Sequence, residues 1–415
     1  MEHVFIYAQG THRFVEGLTI DRLTDGLSGA LGKAYRSTCK VDAYRFEGAE
    51  IACRTIEKKG DAGWSSNIKI LESDYYDIFL GIEAQNLVYR AWQTIGVVFS
   101  NIGLAIKPFL SGWRGEQANI SSLQRSYISL LVVMNLLVPL VFIVLLVLGA
   151  QQVGQQFATT LEAVGTMGAA TEKSANESSS IPLIAGSLIG LTALIALFQL
   201  IWKNFAPPRL VGFVSVLARD PVCMLMYFVG RPRNNPFRDR IIGRLDKIYR
   251  LARSRYPDAT IHVVGYSFGA IAAYDWLFPN TGIQRHTDAK TIGGVVTLGL
   301  PHEMVATFWP DYFDKDRDFR NTAFVRLHTA SLKNDIVGSA LPENAQIREH
   351  IASPDVTSDL VENNHDEVPS DWTDELSRNP VRKGVEEHGL YFGMADKLES
   401  PAFRHCADCV EFRSA

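Results

Sequence analysis

One short segment of the chain combines residue types that suit nucleophilic chemistry. Ser267 stands between Gly265 and Gly269, two positions from each. A run rich in β-branched residues at 261–264 precedes it and a helical pattern at 270–277 follows it, which predicts a strand, a tight turn and a helix. A serine on such a strained turn needs small neighbours, because the backbone segments pack closely. The following helix N-terminus would help to stabilise an oxyanion.

In this setting, residues 265–269 resemble the nucleophile elbow of α/β-hydrolase lipases and esterases. Residues 294–301 resemble the strand and Gly-x-Pro turn that follow the elbow in lipase-like members, and most of the likeness lies in the C-terminal part of the chain. The resemblance implies an α/β fold with a mostly parallel sheet flanked by helices, and a Ser-His-Asp triad. The alternative is a serine in an ordinary glycine-rich turn.

The family order of serine, acid and histidine implies that both partners follow Ser267. Residues 332–338 come after a predicted strand at 324–328 and resemble the Asp-x-Val-Gly turn that carries the acid in lipase-like relatives. Asp335 is therefore the expected acid, which would orient the imidazole and stabilise its charged form. The alternative is an aspartate that forms the turn through its own backbone contacts.

His388 is the expected general base. It follows a polar loop and precedes a short apolar stretch with a helical pattern, as the family's histidine does. It would take the proton of the serine and return it to the leaving group. Two rivals remain: His365, in an acidic segment typical of a solvated loop, and His405, beside Cys406.

The loop after the first predicted strand, at 4–8, is the expected source of a second oxyanion donor. It resembles the family's His-Gly loop, with Gln9 where a histidine is usual. Backbone amides tolerate that difference, so the expected donors are the amides of Phe268, Gly10 and Thr11. A plain glycine turn is the alternative.

Further strands are predicted at 41–46 and 68–71, and the alternation of strands and helices fits a mostly parallel sheet.

Two uncharged apolar stretches, at 128–150 and 181–202, are each long enough to cross about 30 Å of hydrocarbon as a helix. They predict a transmembrane hairpin at 126–203, inserted between an N-terminal part of one hydrolase domain at 1–125 and a C-terminal part at 204–415. Flanking lysines and arginines place both larger parts in the cytoplasm and the 151–180 linker outside. We therefore expect a two-pass protein of a bacterial inner or cell membrane without a cleaved signal peptide. Buried helices of a large soluble core are the alternative.

Composition and charge limit the classes of molecule that the chain is expected to bind. The 415 residues carry a net charge of −4, which gives no reason to expect nucleic acid as a partner. An arginine-rich run at 231–255 suits either anionic lipid headgroups or a solvated helix face. Five cysteines do not indicate a disulfide framework, and the pair Cys406 and Cys409 lacks a second pair for zinc. No metal or cofactor is expected.

The sequence thus predicts a membrane-anchored serine hydrolase. It would cleave carboxylic esters or thioesters through an acyl-enzyme, with lipid or acyl-chain substrates drawn from the bilayer. The alternative is a catalytically silent hydrolase fold that serves as a membrane scaffold or sensor. A channel is disfavoured, because neither apolar stretch contains an ionisable residue. Acyl specificity and oligomeric state are not defined by the sequence.

Overall fold

A computed structural model describes the elements that carry the predicted motif. The residues that it describes are 2–10, 18–38, 42–75, 78, 124, 126, 129, 133, 227–228, 236–280, 292–309, 312–313, 317–318, 327–332, 335, 337–339, 341, 356–361, 390–392 and 401–411. The chain divides into two compact units, one made of Met1–Ala84, Lys107–Leu130 and Met226–Ala415, and the other of Gln85–Ile106 and Leu131–Leu225. All described residues except Val133 belong to the first unit, which is the subject below.

Among the described residues, no helix is both long and apolar enough to cross a membrane. The predicted spans at 128–150 and 181–202 lie outside the described residues apart from Ser129 and Val133. The hairpin, its 151–180 linker and the boundaries drawn from it therefore stay predictions.

The first unit is an α/β structure built on a nine-stranded sheet. The strands run in the order β2-β4-β5-β1-β6-β7-β8-β9, and β3 also pairs with β4. Their bounds are His3–Ala8 (β1), Tyr35–Ser37 (β2), Asp42–Phe46 (β3), Ala49–Gly60 (β4), Gly63–Ser73 (β5), Thr260–Tyr266 (β6), Ile292–Leu298 (β7), Leu327–Leu332 (β8) and Val356–Val361 (β9). Every residue of β1, β6, β7 and β8 is buried, as expected for parallel strands covered on both faces.

The sheet is more mixed than the predicted, mostly parallel one. Strands β5, β1, β6, β7, β8 and β9 pair in parallel, but β4 pairs antiparallel with β2, β3 and β5. The missed feature is the hairpin of β4 and β5, which turns between Gly60 and Gly63. Its outer end is polar and exposed, so it does not show the continuous apolar run of a buried parallel strand.

Helices cover both faces of the sheet. They are Leu18–Ala30 (α1), Pro236–Arg255 (α2), Phe268–Leu277 (α3), His302–Phe308 (α4) and Pro401–Glu411 (α5), with a 3-10 segment at Leu390–Phe392. Helices α1 and α5 and the 3-10 segment share one core with Val264 and Tyr266 of β6. Helices α2 and α3 pack on each other and on β1, and the alternate β6 residues Ile261 and Val263 are buried outside that core. Side chains alternate between the faces of a strand, so α2 and α3 lie on the opposite face.

The arginine-rich run falls largely on α2, where much of its charge is used within the protein. Arg250 forms salt bridges with Glu47 and with Asp246. Arg238 is buried and pairs with Asp275 at 3.0 Å, so the assignment of this residue to a headgroup-facing or solvated surface is wrong. These internal pairs reduce the positive charge that α2 offers to a lipid surface.

The cysteine pair near the C-terminus lies on α5. Cys406 and Cys409 are buried and carry free thiols. Burial, and then the nearby Cys409 and Asp408, raises the pKa of Cys406 well above its ordinary value, so this thiol stays protonated and unreactive. Within the part of the chain that the structure describes, no group of three or more histidine, cysteine or acidic side chains is arranged to hold a metal ion.

Candidate active site

Ser267 occupies the turn between β6 and α3, so the predicted strand, turn and helix are confirmed. Its backbone has φ 53° and ψ −122°, a conformation that favours glycine. Holding a serine in such a region costs about 1–3 kcal/mol, which the surrounding structure must supply. The amide of Ser267 donates to the carbonyl of Leu298 at 2.8 Å, which ties the turn to the end of β7. The residue is half-buried.

Both flanking glycines are needed for close packing at this turn. A Cβ atom on Gly265 would lie 2.6 Å from the Cα atom of Ala270 in α3. A Cβ atom on Gly269 would overlap the carbonyl oxygens of Ala8 and Gln9 at the end of β1. The glycines therefore allow α3 to start directly against the strand ends, with its amide groups directed towards the turn at Ser267.

The loop that follows β1 reaches the same turn. Strands β1 and β6 pair so that Ala8 is opposite Gly265, and a Cβ atom on Gly10 would lie 3.2 Å from the Cβ atom of Ser267. The side-chain amide of Gln9 is buried and donates to Asp74 Oδ1 at 2.9 Å, which fixes the loop to the end of β5. Gly10 is thus beside the serine, whereas Thr11 lies outside the described residues.

Phe268, whose amide was the first expected oxyanion donor, is the first residue of α3. Its side chain is buried and makes edge-to-face contacts with Tyr75 and Tyr227, with ring centroids 6.1 Å and 4.9 Å away. These aromatic contacts stabilise the position of the first residue of α3.

Asp335 lies just beyond β8, in a turn where its amide donates to the carbonyl of Leu332 at 3.1 Å. The predicted strand at 324–328 is observed from Leu327 onward and continues to Leu332; residues 324–326 lie outside the described residues. The carboxylate is fully buried. Its Oδ1 accepts from the amide of Val337 and its Oδ2 from the hydroxyl of Tyr391, each at 2.8 Å.

The turn at 335–338, here called the acid turn, and the turn at Ser267, here called the serine turn, meet through Gly299. A Cβ atom on Gly338, in the acid turn, would lie 2.5 Å from the Cα atom of Gly299. Gly299 directly follows Leu298, whose carbonyl accepts the amide of Ser267. Burial, and then the charge of Asp335, raises the pKa of Tyr266, the residue before the serine. Three independent segments thus converge at the carboxyl ends of β1, β6 and β8.

Of the three candidate bases, His405 is the one that lies within the described residues. His388 and His365 lie outside the described residues. His405 is buried on α5, where its ring stacks on that of His328 with centroids 4.9 Å apart. His405 is therefore part of the packing beneath the sheet.

Sequence reasoning missed two residues that hold the acid turn. Tyr391 was expected only as part of a helical stretch, and Gln124 gave no signal at all. The side-chain amide of Gln124 donates to the carbonyls of Asp335 and Gly338, at 2.8 Å and 2.5 Å. Both contacts join distant parts of the sequence, so no local pattern indicates them.

Helix α3 is fixed at its far end by a buried charge cluster around Asp275. Its carboxylate pairs with Arg238 at 3.0 Å and Arg317 at 2.7 Å, and accepts from the hydroxyls of Tyr227 and Tyr312 at 2.7 Å and 2.5 Å. Burial by itself raises the pKa of Asp275, but the two guanidinium groups and the two hydroxyls outweigh it, and the pKa lies below its ordinary value.

Comparison with known proteins gives no relative for this arrangement: the chain matches no family model, no curated protein and no solved structure. The chemistry of the site is therefore argued from its own residues.

Proposed function

We propose that the chain is a serine hydrolase with an α/β-hydrolase-like fold, in which Ser267 attacks the carbonyl of an ester or thioester. The observation that carries this proposal is the strained backbone of Ser267, φ 53° and ψ −122°, at a strand-to-helix turn between two obligatory glycines. Strain of this kind persists where the structure over-determines it, and in hydrolases it holds the nucleophile clear of the sheet.

The proposed reaction begins when Ser267 Oγ adds to the substrate carbonyl and its proton moves to the base. The amides of Phe268, Gly10 and Thr11 would stabilise the oxyanion. The position of Gly10 beside the serine and the start of α3 at Phe268 support the first two assignments. Return of the proton to the leaving alcohol or thiol yields an acyl-enzyme, which water then releases.

For the base, we propose His388, supported by Asp335. His388 lies three residues before Tyr391 in the sequence, and three residues of chain reach at most about 11 Å. The hydroxyl of Tyr391 contacts Asp335 directly, so this short connection is compatible with a His388 that reaches the acid. His365 follows the end of β9 at Val361 by four residues and is the competing candidate. Asp335 would hold the imidazole in the productive tautomer.

The predicted hairpin at 126–203 supports lipid or acyl-chain esters as the substrate class. A site tethered beside a bilayer meets molecules of the membrane at a high local concentration. The proposal needs no cofactor, because the serine, histidine and aspartate supply the nucleophile, the base and the orienting charge.

Ester hydrolysis by the full chain in detergent tests the proposal, with p-nitrophenyl esters of short and long acyl chains. We expect Ser267→Ala and His388→Ala to reduce hydrolysis at least about 10³-fold. The exposed Ser66 provides a matched control, and Ser66→Ala should have no effect. Loss of activity in His365→Ala but not His388→Ala would reassign the base. A folded wild-type chain that cleaves no ester would favour the silent scaffold.

A further inference from the structure

The acid turn receives side chains from two segments that lie far away in the sequence. Tyr391 comes from the 3-10 segment and contacts the carboxylate of Asp335, and Gln124 comes from the N-terminal half and contacts the backbone of the turn. All three residues are buried, with exposed fractions of 0% for Asp335 and Tyr391 and 6% for Gln124. Buried polar contacts of this kind fix orientation, because breaking one leaves a polar group without compensation.

The hydroxyl of Tyr391 is directed at Asp335 by its own environment. Its oxygen accepts the amide proton of Leu332 at 2.9 Å, so its single proton remains for Asp335 Oδ2, 2.8 Å away. Val337 donates to the other oxygen. Each oxygen of the carboxylate thus accepts from a neutral donor, which fixes the plane of the carboxylate.

The side chain of Gln124 binds the backbone of the acid turn at both of its ends. The single amide nitrogen donates to the carbonyls of Asp335 and Gly338, the first and last residues of the turn. Both N–H groups of the amide are used in this way. In the sequence, Gln124 precedes the predicted span at 128–150 by four residues.

We propose that Tyr391 and Gln124 are positioning residues for the acid: Tyr391 fixes the carboxylate of Asp335, and Gln124 fixes the turn that carries it. This inference rests on the proposed function, because it assigns the two residues to the orientation of the base through Asp335. In this proposal both residues act through Asp335 and not on the reacting atoms.

The two residues act differently on the base. The Tyr391 hydroxyl withdraws negative charge from Asp335, so its removal makes the carboxylate a stronger acceptor and raises the pKa of the imidazole that it holds. The acidic limb of the pH profile then moves to higher pH. Tyr266 also feels the charge of Asp335 and is unchanged in these variants. The Gln124 amide contacts carbonyls rather than the carboxylate, so its removal misplaces the acid without changing its acceptor strength.

The test is the rate of inactivation by a fluorophosphonate probe as a function of pH, measured on the full chain in detergent together with its thermal unfolding midpoint. The variants are Tyr391→Phe and Gln124→Met, which nearly keep the side-chain volume. Tyr44→Phe is the matched control. It removes a hydroxyl that forms a hydrogen bond of 2.9 Å with the hydroxyl of Tyr256, and this pair lies away from the site.

We expect Tyr391→Phe to slow inactivation about tenfold or more and to shift the acidic limb upward by about half a pH unit. Gln124→Met should slow inactivation by a similar factor with an unshifted limb, and Tyr44→Phe should match the wild type. If Tyr391→Phe does not fold, Gln124→Met carries the test alone.

The experiment distinguishes failure of the proposed function from failure of the positioning roles alone. A wild type that is folded but does not react removes the proposed function, and with it this inference. A wild type that reacts through Ser267, while Tyr391→Phe and Gln124→Met both react at the rate of Tyr44→Phe, overturns the positioning roles and leaves the proposed function intact. Equal losses of thermal stability and labelling without a pH shift in Tyr391→Phe would reduce that residue to a structural role.

Discussion

Two fully buried carboxylates, Asp275 and Asp335, lie in the same unit and accept from different kinds of donor. Asp275 is paired with the guanidinium groups of Arg238 and Arg317 and accepts from two tyrosine hydroxyls. Asp335 accepts from the hydroxyl of Tyr391 and a backbone amide. The charge of Asp275 is balanced by two cations inside the core. The turn that carries Asp335 instead lies against Gly299, next to the residue that binds the amide of Ser267. We therefore assign Asp275 to the support of the fold and propose Asp335 for the chemistry.

The largest expected effect is on activity and concerns Asp335. Replacing it with asparagine keeps the shape but removes the charge that would stabilise the imidazolium, so we expect turnover to fall about 10³–10⁴-fold. The same substitution at Asp275 should leave the turnover of the folded fraction within about threefold of the wild type. Kinetics of ester hydrolysis, normalised to folded protein, check both; equal losses at the two positions would remove the distinction.

The reverse order is expected for stability. In Asp275→Asn, two buried guanidinium groups lose their common counter-charge, and breaking a buried pair from one side costs about 3–5 kcal/mol. Denaturant unfolding of the full chain in detergent measures this free energy. A double variant, Asp275→Asn with Arg317→Met, should recover part of the loss, because it removes one of the uncompensated cations. A loss below about 1 kcal/mol would contradict the supporting role.

The pH dependence of stability sharpens the same contrast. The pKa of Asp275 is lower in the folded chain than its ordinary value of about 3.9, so the unfolded chain binds this proton more readily. Its contribution is therefore complete above about pH 5 and decreases as the pH falls below about 4. The difference in unfolding free energy between the wild type and Asp275→Asn should narrow on acidification, and a constant difference from pH 7 to pH 3 would contradict this account.

The smallest expected effect concerns the strain at Ser267. Glycine adopts φ 53° without steric cost, so Ser267→Gly should raise the unfolding free energy by about 1 kcal/mol while abolishing activity. Ser267→Ala also abolishes activity but keeps the Cβ atom, so it should not show this gain. Unfolding curves of the two variants compared with the wild type provide the measurement; a destabilised glycine variant would argue against strain at the turn.

The local features of this site could be predicted from the sequence, and the long-range ones could not. The strands predicted at 4–8 and 68–71 lie within β1 and β5, and the strand predicted at 41–46 is observed from Asp42 onward as β3. The turn at Ser267 lies between a strand and a helix as predicted. These features depend on composition within a few residues. The antiparallel strand β4 was missed, because its polar outer half does not stand out from a loop.

The partners of the buried polar side chains show why the long-range contacts could not be predicted from the sequence. In the sequence, Arg238 looks like one more member of an arginine-rich surface run, but in the fold it is buried against Asp275. Gln124 and Tyr391 meet Asp335 across 211 and 56 residues of chain. These segments come together only in the folded chain, where the strand order sets which segments are neighbours. Strand order cannot be predicted from a short sequence pattern.

Mass spectrometry of the full chain after reaction with a fluorophosphonate probe tests whether Ser267 is an activated nucleophile. We expect a single adduct on the peptide that contains Ser267, formed by the wild type and absent in Ser267→Ala. A folded wild type that forms no adduct, or forms it equally well in Ser267→Ala, would contradict the claim that this strained serine is an activated nucleophile.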